Sequence, residues 1–244
     1  MPDALFSPRM LLAMLIAGAA GVIRGVTGFG GSMVMTPPLA LLFGPQVAVP
    51  IVLLLEAFAG LPMLRDALQH ARWRMLLPIG IGACLTVPFG SYVLLHADPL
   101  LLRRLIAGLV LVFALVLLSG WRYAGTHNTP TALGLGAVSG TLLGATGIGG
   151  PPIILYLLSG PDPVAVTRAT LTVFVVMISI AGLSMLGING LLNTDSLTLT
   201  LPLVPLFFVG VVAAGRLFRR FSEQRFRQFT LLLLLVVSAG ILLA

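Results

Sequence analysis

The chain has 244 residues, 58% of them hydrophobic and 9% charged, with a mean hydropathy of +1.11. Soluble domains carry about 25% charged residues, so a water-soluble globule is excluded and an all-α polytopic membrane protein is predicted, with no polar stretch long enough to fold as a separate unit. The net charge of +7 arises from 14 basic residues, all arginine; their gathering in short loops follows the positive-inside bias, and without an aromatic-interleaved basic patch nucleic acid is excluded as a partner.

Apolar runs of roughly 20 residues can cross a hydrocarbon core of about 30 Å. They are predicted near 10–26, 47–64, 76–95, 101–121, 131–146, 164–187, 198–215 and 229–244, about eight membrane helices in all. The first run, with Arg9 before it and small residues Ala17–Gly21 at its end, imitates a signal peptide. Because Gly21 belongs to an internal duplication, the run is read instead as a retained membrane helix. Cys84 lies alone in an apolar run and reads as a small hydrophobe.

The duplication centres on two glycine clusters, GVTGFGGSM from Gly25 and GATGIGGPP from Gly144. Thr27, Gly28, Gly30 and Gly31 pair with Thr146, Gly147, Gly149 and Gly150, and Gly21 pairs with Gly140 at the same offset. A second match follows each cluster, Gly44-Pro45-Gln46-Val47-Ala48-Val49 against the segment from Gly160 to Val166. Short apolar pieces at 32–43 and 151–159 come between, too short for ordinary spans and expected as re-entrant or half-helical elements.

Two broken apolar segments at corresponding positions point to the substrate site of a secondary transporter. Glycine lets the backbone break and approach a ligand, and a half-helix starting after Gly31 or Gly150 would aim its positive end at the interior, which suits an anion. Thr27 and Thr146 would add hydroxyl donors, and Pro151 fits a first helical turn. The alternative is close helix packing through small residues.

Pro78 aligns with Pro202, and the loop His96–Arg104 with Arg220–Gln228, so the chain divides into repeat halves 1–125 and 126–244, joined at Arg122–Thr131. The loop Arg65–Met75 holds Arg65, Arg72 and Arg74, whereas its counterpart Gly187–Leu197 has none. The arginine-rich loop 216–227 likewise outweighs its counterpart, which has Arg103 and Arg104. Equivalent loops on opposite faces would be charged in this way, which favours inverted repeats. Its arginines read as topology determinants and contacts to anionic lipid.

The paired clusters, the Gly-Pro segments after them, the two similar halves and the overall length resemble the sulfite exporter TauE/SafE family of membrane permeases, over essentially the whole chain. The resemblance implies transport of sulfite, organosulfonates or other small organic anions. It assigns the family motif to Gly25, Thr27, Gly28, Gly30 and Gly31, and to Gly144, Thr146, Gly147, Gly149 and Gly150. Pro151-Pro152 departs from the usual continuation and makes the two half-sites unequal.

Two charges fall inside apolar runs. Arg24 precedes the first cluster, where the second half has Leu143. A guanidinium there costs about 2.5–3.5 kcal/mol on insertion scales unless paired or hydrated. Its fork suits a sulfonate or carboxylate; snorkelling to the headgroups is the alternative. Glu56, in IVLLLEAFAG, is a candidate proton carrier, a counter-ion for Arg24, or a structural hydrogen-bonding group. Arg168 could complete an anion site but fits a helix end at the interface better.

His70, His96 and His127 have no metal-ligand spacing, no cofactor motif occurs, and no nucleophile–base pair lies in the spans, so an enzyme is not expected. The expected function is a secondary transporter, an exporter of a small anion in the inner (plasma) membrane, drawing on a proton or ion gradient. A passive anion channel and a structural subunit of a membrane complex are the alternatives. A homo-oligomer is compatible with the sequence.

Overall fold

All regular structure among the described residues is helical, as a bilayer requires when backbone polar groups must be satisfied within each segment. The computed structural model describes residues 7–217 except 28, 122, 126 and 161. Gly28, the predicted helix near 229–244 and the arginine-rich segment beyond Leu217 lie outside the described residues.

In chain order the helices are α1 Pro8–Thr27, α2 Gly31–Phe43, α3 Pro45–His70, α4 Trp73–His96, α5 Pro99–Leu118, α6 Thr129–Thr146, α7 Gly150–Leu158, α8 Val164–Ile188, α9 Thr194–Thr200 and α10 Leu203–Leu217. Among the described residues, six segments are long and apolar enough to cross a membrane: Pro8–Gly25, Pro45–His70, Trp73–His96, Pro99–Leu118, Ala165–Ile188 and Ser196–Ala214. The chain is a multi-pass membrane protein. Of the expected spans, α6 is not among these six, because its glycines and threonines dilute its apolarity.

Local chemistry sets the helix ends. Asp98 accepts from the amides of Leu100 and Leu101 at 2.8 and 3.1 Å, capping α5. Asn128 accepts from Thr131 N at 2.9 Å to cap α6, and Asn193 from Ser196 N at 2.9 Å to cap α9. Gly44 separates α2 from α3 at φ +86°, and a turn at Asn189-Gly190 follows α8. Near Pro202, which lacks a backbone N–H, the span predicted at 198–215 divides into α9 and α10.

One predicted loop contracts. The helix α3 runs on to His70, so Arg65 and Asp66 are helical and only 71–72 link α3 to α4. The helix α5 begins at Pro99, close to the start of the span predicted at 101–121, and contains Arg103 and Arg104 as that span does. Apolar patterning ends at the edge of the hydrocarbon, but helical hydrogen bonding continues into the interface, where it still satisfies the backbone.

Small residues bring two helix pairs into backbone contact. A Cβ on Gly136, Gly140 or Gly144 of α6 would come within 2.1, 2.1 and 2.5 Å of the carbonyl oxygens of Ile79, Ala83 and Val87 on α4. On α1, a Cβ at Gly21 or Gly25 would lie 2.1 and 2.5 Å from the carbonyl oxygens of Phe207 and Val211 on α10. Such crossings exclude side chains and gain close van der Waals packing. Between them α3 packs on α8. Tyr156, Phe174 and Phe207 are fully buried, whereas Leu85 and Ile188 are 74% and 78% exposed, as lipid-facing side chains are.

The start of α6 and the end of α7 lie at the same end of the bundle. His127 Nε2 is 3.1 Å from Tyr156 O, and Tyr123 N donates to Ser159 Oγ at 2.8 Å. Arg72, before α4, is paired there with Asp162, before α8. At the other end Gln46 Nε2 donates to the carbonyls of Leu94 and Leu95 at 3.3 and 3.2 Å.

Candidate functional site

The first glycine cluster seats a carboxylate. Gly30 adopts φ +85°, a left-handed conformation that favours glycine, and turns the chain from α1 into α2. The first amides of α2 have no partner within the helix. Glu56, midway along α3, reaches across so that its Oε1 accepts from Ser32 N at 2.7 Å. Its Oε2 lies 3.2 Å from Arg24 Nε, with the two side chains 4% and 6% exposed. That oxygen is an ion contact without an aligned hydrogen bond. A Cβ on Gly31 would fall 2.6 Å from Glu56 Oε1 and 3.4 Å from Arg24 Cβ, so the carboxylate fits only above a glycine.

The second cluster carries no charge, and Gly149, the counterpart of Gly30, has φ −110° rather than a left-handed conformation. Gly147 closes α6 at φ +73°, its N–H donating to Leu143 O at 2.7 Å. Ser139 Oγ donates to Gly149 O. Pro151 and Pro152 occupy the first turn of α7, where a missing N–H carries no penalty. Thr146 Oγ1 donates to Leu142 O in its own helix at 2.7 Å and accepts from Ile148 N at 3.3 Å, so its proton is engaged locally.

Both clusters border one buried cavity of about 20 Å³. Arg24, Glu56, Ser32 and Ser179 supply its polar side chains, and Gly30, Gly147, Gly149 and Gly150 line it from the two breaks. Leu143, Leu53 and Ile178 are among its apolar lining. The volume holds about one water. Of the residues expected here, Gly31 underlies the Arg24–Glu56 pair and Thr146 is buried without lining the cavity. The Thr27 side chain and Gly28 lie outside the described residues. Arg168 is exposed near the start of α8 and does not line the cavity.

Ser179 is the residue that sequence reasoning missed. It is 1% exposed on α8, lines the cavity, and its Oγ has no hydrogen-bond partner. Serines and threonines in apolar helices usually return the hydroxyl to a carbonyl one turn back, as Thr170, Thr172 and Ser184 do on this helix. Ser179 does not, and nothing in the local sequence distinguishes it from them.

Chemically, the cavity combines a guanidinium, two hydroxyls, the amide end of α2 and a carboxylate that neutralises the guanidinium. Residues 13–241 match the family profile described as sulfite exporter TauE/SafE. The chain belongs to this family of transporters. Among curated proteins of the TauE/SafE type, it is 31% identical over 179 residues to a protein of Cupriavidus necator described as "Probable sulfite/organosulfonate exporter TauE", covering 69% of this chain and 70% of that one. No solved structure matches the chain.

Proposed function

We propose that this TauE/SafE protein is a gradient-driven exporter of a small sulfur anion, sulfite or an organosulfonate, across the plasma membrane. The single observation that carries the reading is the position of Glu56. Its carboxylate accepts from a helix-end amide at 2.7 Å and faces a guanidinium at 3.2 Å, which are the partners a substrate oxyanion would need. The protein's own carboxylate stands in the anion site, and a substrate binds by displacing it. The name of the relative in Cupriavidus necator supports the sulfur chemistry.

Displacement couples the anion to a proton. With Glu56 ionised, an added anion would leave an uncompensated negative charge in a cavity of about 20 Å³ lined mainly by apolar side chains and glycines, which a low-dielectric interior strongly disfavours. Protonation of Glu56 removes that charge and frees Arg24. Among the described residues, Arg24 is the only other charged side chain lining the cavity. The small volume also favours alternating access over an open channel, because it excludes a hydrated anion.

The reading includes two inverted halves, 1–125 and 126–244, with α2 and α7 as half-helices. Reciprocal packing supports this. Gly140 and Gly144 meet Ala83 and Val87, while their counterparts Gly21 and Gly25 meet Phe207 and Val211. The first helix of each half thus packs on a later helix of the other, α6 on α4 and α1 on α10. The test is flux in liposomes with sulfite, thiosulfate, sulfate, isethionate and small carboxylates, with and without a pH gradient. Saturable, pH-driven movement of a sulfur anion is expected; flux of carboxylates alone would replace the substrate class.

A further inference from the structure

A second, larger cavity of about 450 Å³ lies outside the central site. Its polar side chains are Arg72, Arg74, His127, Asn128, Thr129 and Tyr156. The volume falls in the roughly 300–1,000 Å³ range of small-molecule sites. Arg72 is held by Asp162, and its backbone N–H donates to Thr170 Oγ1 at 3.0 Å. Arg74 is exposed and makes no hydrogen bond or ion pair among the described residues. Two guanidiniums against one carboxylate leave the cavity positive. The wall is firm, because the His127 ring stacks on that of Tyr156 at 4.6 Å, with Tyr123 edge-on to Tyr156 at 5.4 Å.

The helix α7 separates this cavity from the central one. Ile154 lines the central cavity and Tyr156, two residues on, lines the outer one, a rise of about 3 Å along the helix axis. We propose that the outer cavity is a second anion site, a staging site for sulfite or an organosulfonate on the arginine-rich face. Arg74 is the principal cation there, and Arg72 is latched in place by Asp162. The proposal rests on the transporter reading for its substrate class, but binding in the cavity is measurable without flux.

Electrostatic focusing in a positive cleft raises the local concentration of anions and lowers that of cations. The test uses the full chain carrying Cys84→Ala and Thr129→Cys, purified into phosphatidylcholine vesicles. The thiolate at position 129 is modified by sulfonatoethyl or trimethylammonioethyl methanethiosulfonate, forming a mixed disulfide and releasing methanesulfinate. Relative to a free thiol in solution, the anionic reagent is expected to be favoured by about tenfold or more. Isethionate is expected to slow its reaction, and Arg74→Gln to abolish the preference while Arg74→Lys retains it.

A free-thiol rate ratio, with no protection by isethionate, would overturn the proposal even if liposome flux were normal. Protection by phosphatidylglycerol added to the vesicles, without protection by isethionate, would assign the cavity to a lipid headgroup and overturn it as well. Protection by isethionate in a protein that carries no flux would uphold the site and reject the transport reading alone.

Discussion

Arg24 and Glu56 meet 3.2 Å apart, with side chains 6% and 4% exposed, although they stand on different helices and 32 positions apart in sequence. A buried pair of this kind adds little net stability, but removing one partner strands the other charge, at a cost of about 3–5 kcal/mol. Arg24→Gln should therefore lower the thermal midpoint sharply and abolish saturable sulfite flux. The double variant Arg24→Gln/Glu56→Gln should regain most of the stability and none of the flux. Sulfite transport by Arg24→Gln at the parental KM would remove the arginine from the site.

Glu56→Gln isolates the proton. The amide oxygen still accepts from Ser32 N, so the seat above Gly31 stays filled while the charge is lost. Arg24 then no longer faces a carboxylate. Exchange of sulfite for sulfite at equal pH should continue, and net movement driven by a pH gradient should disappear. A variant that still follows the pH gradient would place the coupling proton elsewhere.

Gly31→Ala tests the seat without touching a charge. Its methyl group would lie 2.6 Å from Glu56 Oε1, so the carboxylate must leave the Ser32 amide. A loss of about 1–3 kcal/mol is expected, together with impaired pH-driven flux. Gly108→Ala is the control: nothing lies within 4 Å of its Cβ position, and alanine should stabilise α5 by about 1 kcal/mol. Equal behaviour of the two variants would show that the seat does not matter.

The reciprocal crossings make a paired prediction. Gly140→Val on α6 and Gly21→Val on α1 each drive a side chain into a backbone carbonyl, Ala83 O or Phe207 O, both 2.1 Å from the Cβ position. Backbone cannot step aside as a flexible side chain can, so each variant should lose at least about 1–3 kcal/mol, measured as a fall in melting temperature. Matching losses are expected of equivalent positions in repeated halves. A large loss in one and none in the other would contradict their equivalence.

The elements legible in the sequence were those that membranes make expensive or that duplication marks. Glycine breaks stand out in an apolar chain because they recur at one offset, and Arg24 and Glu56 stand out because hydrocarbon penalises unpaired charge. Their meeting was not legible, since it depends on how α1 and α3 cross. The helix α3 runs past the apolar run that ends at residue 64, because the polar residues Arg65–His70 continue it into the interface. The outer cavity was also hidden. Its arginines looked like topology signals, and only the fold brings His127 and Tyr156 beside them.

Ser179 offers the sharpest separation of binding from structure. Its Oγ is buried without a hydrogen-bond partner, in a cavity that it lines together with Arg24 and Glu56. If the hydroxyl were merely structural, removing an unsatisfied buried group would leave stability unchanged or raise it, and transport would not alter. If it is a substrate ligand that finds its partner only when an oxyanion enters, Ser179→Ala should keep or improve the melting temperature. It should also lose one hydrogen bond to the anion, about 1–1.5 kcal/mol, which is a five- to tenfold rise in KM for sulfite. Ser179→Thr should retain the hydroxyl and recover part of that affinity. The expected result is thus a protein at least as stable and several-fold weaker in substrate affinity. An unchanged KM in Ser179→Ala would take Ser179 out of the site and leave Arg24 and the α2 amide end as its anion-binding groups.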